Sequence, residues 1–172
     1  MSSPSASLGG KLSNEAPSQL QQNLHPIKLR YTPIPAPLPP LGDSPISLVA
    51  SSDTGAPCRR CLQDAQPGEV VNLISYDPFQ AGSTSPYRGT MAIFVHEHDC
   101  ELFDGDTLPE KQLQRLLSLR AFDERDMMVA AEVIKGREME KVARGMLADE
   151  KARYLHVHNA KPGCFAVRVD RA

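Results

Sequence analysis

The chain has 172 residues, enough for one ordinary domain, and its 41% hydrophobic content can build a core. A net charge of −2 leaves no electrostatic footprint for nucleic acid or a membrane surface. No apolar run approaches the roughly 18 residues that a membrane helix needs.

The first 27 residues carry one Lys, no Arg and one Glu, which reads as neither a secretory signal nor a mitochondrial presequence. A cytoplasmic chain with reduced cysteines is the expectation, and a disulfide framework is disfavoured. Residues 1–45 hold nine of the 15 prolines among many Ser, Gln and Asn. Such an arm buries too little apolar surface to offset its ordering entropy, so it is expected to be disordered. Its run 33–40 reads as polyproline II, a spacer or a docking segment for a protein partner. Residues 27–31 can add one edge strand.

Residues 46–172 read as a single α+β domain. A strand is predicted over 70–76, after the Pro67-Gly68 turn, and another over 90–98. Thr107-Leu108-Pro109-Glu110 resembles a helix start, with Thr107 as N-cap and a helix running to about 117. Residues 117–122 and 127–134 read as strands joined by a polar turn, the second ended by Gly136. Met139, Val142, Ala143, Met146 and Leu147 recur at helical spacing and predict a helix over 137–148. Two strands, 154–158 and 164–170, close the chain. Short connections favour a mostly antiparallel sheet with the two helices packed on one face.

The last hairpin, YLHVHNAKPGCFAVRVDRA, carries the richest chemistry. Strand alternation puts Leu155 and Val157 with Phe165, Val167 and Val169 on one face. Tyr154, His156, His158, Cys164, Ala166, Arg168 and Asp170 fall on the other. The simplest pairing sets His158 opposite Cys164, His156 opposite Ala166 and Tyr154 opposite Arg168. An imidazole beside Cys164 can activate the thiol, and Arg168 can hold a carboxylate or phosphate. A buried, inert Cys and ordinary surface His and Arg fit the same pattern.

Cys58-Arg59-Arg60-Cys61 is a CxxC with no second CxxC behind it. Zinc would need His96 with His98, or His156 with His158, and that spacing matches no standard ribbon or finger. Cys58 and Cys61 are therefore expected to be loop or strand-edge residues, with no metal ligand assigned. Tyr87 and Arg88 lie on a turn before a strand, where Arg88 can anchor an anion or extend into water. Arg120 shares that ambiguity, and Asn159 suits local bonding at a turn. There is no phosphate loop, GxGxxG, GxSxG or HExxH, and no cofactor is expected.

The strings APCRRCLQDAQPGE, SPYRGTMAIFV, LSLRAFDERDMMVAAEVIKG and YLHVHNAKPGCFAVRVDR resemble the mainly bacterial domain-of-unknown-function family 1203, over about residues 57–171. The matched blocks contain Cys58, Arg59, Tyr87, Arg88, Arg120, His156, His158, Asn159 and Cys164. The family has no assigned activity, so the resemblance implies no mechanism. Three functions stay open. One is an enzyme acting on a small polar or anionic metabolite, with His156, His158 and Cys164 as catalytic candidates. Arg59, Tyr87, Arg88, Arg120, Asn159 and Arg168 are its substrate-binding candidates. The others are a non-catalytic ligand- or partner-binding protein, and a metal-binding protein using Cys58 and the His pairs.

Overall fold

A computed structural model describes residues 27–35, 45–51 and 55–172. No helix among them is long and apolar enough to cross a membrane. Most of the arm expected to be disordered, and most of its proline run, lie outside the described residues. The described elements are strands β1 (Leu29–Thr32), β2 (Ile46–Val49), β3 (Val70–Tyr76) and β4 (Met91–His96), then helix α1 (Glu110–Leu113). Strands β5 (Leu116–Phe122) and β6 (Met128–Lys135), helix α2 (Met139–Ala148), and strands β7 (Tyr154–Asn159) and β8 (Phe165–Arg171) follow. The class is α+β, as expected, but the strands form two antiparallel sheets rather than one. The larger runs β1-β8-β7-β5-β6 and the smaller β2-β3-β4. β1 is the anticipated edge strand, paired with β8.

The methionine stripe of α2 behaves as core. Met139, Ala143 and Leu147 are buried against Leu119, Leu155, Val157 and Val167 on one face of the large sheet. A 3-10 turn, Gly136–Glu138, leads into the helix. Gly136 is required there because a Cβ would lie 2.7–2.9 Å from the carbonyl oxygens of Gln112, Leu113 and Arg115. The first predicted helix shrinks to the four residues of α1. Thr107 does not cap it: its Oγ1 donates to Glu140, 2.9 Å away, and Pro109 holds the N-cap position. Pairing of β5 with β6 from Leu116 onward takes the residues that the longer helix would have used.

The hairpin register departs from expectation in two ways. His156 pairs with Arg168 and Tyr154 with Asp170, while His158 pairs with Phe165. Between Val157 and His158 the ladder shifts, so Ala166 is an extra residue in β8. This β-bulge reverses the parity that strict alternation assumes. Ala166 joins the α2-facing core and Phe165 joins the histidine face. The turn itself sets the offset: Asn159 N–H donates to Cys164 O at 2.9 Å, and Gly163 sits at φ +75°.

The histidine face is not a displayed surface. Phe165 packs with Ile74, Ile93, Val95, Cys58 and Ile34 into a second core, supplied largely by β3 and β4. With α2 on one side and this core on the other, all six β7 residues are buried.

Candidate functional site

The loop after residue 56 folds back on itself. Cys58 N–H donates to Gln63 O at 2.9 Å, and Arg59 N–H donates to Phe94 O on β4 at 3.0 Å. Leu62 takes φ +59°, a left-handed conformation unusual for a branched residue, held by burial of its side chain in the main core. The result presents Cys58 and Cys61 towards the end of β4. There His96 is the last strand residue, and Cys100 follows on the next loop.

These four residues converge. The sulfurs of Cys58, Cys61 and Cys100 and a ring nitrogen of His96 all lie within 4.8 Å of one another. Cys58 Sγ is 3.8 Å from Cys100 Sγ, and Cys61 Sγ is 3.6 Å from His96 Nδ1. The backbone N–H groups of Arg60 and His96 each point at Cys58 Sγ, at 3.4 Å. A hydrogen bond from Cys61, with these backbone donors, pulls the Cys58 thiol well below the usual thiol range against the opposing effect of burial. The Cys61 thiol, holding the shared proton, is pushed up. Burial raises Cys100 too. His96 Nε2 faces away from the sulfurs and lies 3.7 Å from Glu69 Oε2.

This set was not assigned from sequence. The i, i+2 pairing of His96 with His98 fails because β4 ends at His96; His98 stacks outside it with ring centroids 4.7 Å apart. Cys100 was missed, although His96-x3-Cys100 complements Cys58-x2-Cys61 and is the signal that could have found it. The other histidine pair is also absent from the cluster.

His156 and His158 are 1% and 2% exposed. His156 is walled by the rings of Phe79, Phe122, Tyr154 and Phe165, with centroids 5.0–5.2 Å away. Burial, then the charges of His158, Arg168 and Arg120, holds its pKa down to about 3. His158 is held down to about 4, mainly by burial and then by Arg120, against a hydrogen bond of Nδ1 to Gly163 O at 3.0 Å.

The candidate binding residues separate. Arg88 is held by Asp77, with Nε and Nη2 at 2.8 and 2.7 Å from Oδ2. Tyr87 is 46% exposed and edges against Phe122. Arg168 grips Asp170 at 2.8–3.1 Å and lies 3.8 Å above the Tyr154 ring. Arg120 sits opposite His156 on β5. Only Arg59, Asn159 and Cys164 line one cavity, of about 640 Å³, between the hairpin turn and β4. Neither His156 nor His158 is among its lining residues.

A two-sheet α+β domain with a Cys3His cluster is therefore the class that fold and site define. Residues 55–171 match the family described as protein of unknown function (DUF1203), and the chain belongs to it. No curated protein and no solved structure matches the chain.

Proposed function

We propose that the domain binds one zinc ion through Cys58, Cys61, His96 and Cys100. The observation that carries this reading is the convergence of all four donor atoms within 4.8 Å of one another. A tetrahedral ion with Zn–S near 2.3 Å and Zn–N near 2.0–2.1 Å has S···S edges of about 3.8 Å and S···N edges of about 3.5 Å. Two of the six edges, at 3.8 Å and 3.6 Å, match that frame, and the remaining pairs lie within 4.8 Å. Thiolates with an imidazole favour zinc over hard cations. Backbone N–H groups on Cys58 Sγ support a thiolate, and Glu69 stands where a carboxylate can accept the proton of the imidazole nitrogen that does not bind metal. Four protein ligands leave no open position, so the ion's role is structural: it ties the 58–63 loop to the end of β4.

A hydrolytic or transfer function at the hairpin has weaker support, since both imidazoles are enclosed by aromatic rings and apart from the cavity that holds Cys164.

Elemental analysis of full-length protein, produced with zinc in the medium, is expected to give about one zinc per chain. Cobalt substitution is expected to give the thiolate-to-metal absorption of a tetrahedral site. Cys61→Ser and Cys100→Ser should each lose the stoichiometric metal, and Cys164→Ser should retain it. A chain that comes out metal-free and takes up no cobalt ends the proposal.

A further inference from the structure

Arg59 is the residue that the metal reading leaves without a purpose. It lies between the two cysteines of the CxxC, yet its side chain runs away from them and is only 2% exposed. Its Nε donates to Phe165 O at 2.7 Å, Nη1 donates to Pro57 O, and Nη2 donates to Cys164 Sγ at 2.9 Å. Among the described residues no carboxylate forms an ion pair with it. Its partners are two backbone carbonyls and the Cys164 sulfur rather than a carboxylate, so a further anion can be accommodated on the buried guanidinium.

The cavity of about 640 Å³ beside it has room for one. No Asp or Glu lines it. Arg115 lines it too, but its charge is met by both oxygens of Asp64 at 2.7 and 2.8 Å. Lys161 projects from the hairpin turn, exposed, with no ion pair among the described residues. Cys164 Sγ takes a second donor, Asn159 Nδ2 at 3.7 Å. Leu73, Met91 and Phe94 supply an apolar wall. Of the five guanidinium N–H groups three are engaged, which leaves one on each terminal nitrogen of Arg59. That pair of donors matches the two oxygens of a carboxylate.

We propose that this cavity binds a small organic monocarboxylate, with its charged end on Arg59 and Lys161 and its apolar body against Leu73, Met91 and Phe94. This goes beyond the zinc reading and stands whether or not metal is bound. The cavity would then be a recognition site in which Cys164 lies beside the bound anion.

Alkylation of Cys164 in the full chain, followed peptide by peptide, tests it independently of the other three cysteines. The rate with anionic iodoacetate relative to neutral iodoacetamide is compared with the same ratio in the urea-unfolded chain. A positive cavity should raise that ratio roughly 10-fold. Lys161→Gln, at an exposed turn position, should lower it at least about twofold. Millimolar hexanoate should slow alkylation by iodoacetamide, and hexanamide should not. A ratio equal to that of the unfolded chain overturns the proposal, as does equal protection by hexanamide. Protection by inorganic phosphate as strong as that by hexanoate overturns the assigned ligand class.

Discussion

His96 faces two ways at the end of β4. Nδ1 points into the three sulfurs, and Nε2 points at Glu69, 3.7 Å away, with no hydrogen-bond partner nearer. Drawing Nδ1 onto an ion fixes the proton on Nε2, and closing the gap to Glu69 then satisfies it. Carboxylates in this position orient the ring and raise its basicity, and losing one weakens metal binding by roughly 10–100-fold. Glu69→Gln is therefore expected to weaken zinc binding by at least about 10-fold. Competition with a chromophoric chelator reads this directly, and unchanged affinity would remove Glu69 from the site. At this scale the sequence was half legible. The CxxC was visible, but its partners lie 35 and 39 residues beyond Cys61, and only folding reveals which of five histidines arrives. Arg88 and Arg168 attracted attention as cations, yet each is met by an acid close in sequence, Asp77 and Asp170.

Elements were read more successfully where a period governs them. The α2 stripe at i, i+3, i+4, i+7 and i+8 reports burial on one side, and β3 has the predicted limits. Period reading fails where the chain departs from regularity. The bulge at Ala166 exchanges the faces of Phe165 and Ala166, because one extra residue reverses every position on that side of it. Gly136 shows a different limit: β6 ends just before it, as expected, but the sequence does not disclose that the position also requires close approach. Its N–H bonds to Arg115 O at 2.8 Å while three carbonyls crowd the space of a Cβ. All three belong to backbone, which cannot swing aside. Gly136→Ala is expected to destabilise by about 1–3 kcal/mol, through displacement of α2 from the sheet. Urea unfolding of the two proteins measures it, and equal midpoints would show that the junction can yield.

Over the whole molecule, the large sheet is a central layer with α2 on one face and the aromatic core on the other. That arrangement was not legible, because the alternation of β7 looks half-polar while both its faces are buried. Such a layer takes His156 and His158 inside as neutral rings. In the unfolded chain each titrates near 6.5. In the folded chain burial holds them at about 3 and about 4. Below about pH 6.5 the unfolded state therefore takes up protons that the folded state refuses. The contribution is complete above that pH and is lost as pH falls towards 4 and then 3. Each ring adds a slope of about 1.4 kcal/mol per pH unit inside its window. His156→Phe, which keeps a ring among rings, should flatten the stability profile between pH 6 and 4.5 by about that much. Parallel profiles for the two proteins would mean that His156 is protonated within the fold.

Arg59 belongs to two neighbourhoods at once. Its backbone, with that of Arg60, joins Cys58 to Cys61, and its side chain lines the cavity. Whatever tightens one neighbourhood narrows the freedom of the other, and equilibrium makes that debt symmetrical. Any factor by which zinc strengthens carboxylate capture must reappear, unchanged, as the factor by which the carboxylate strengthens zinc capture.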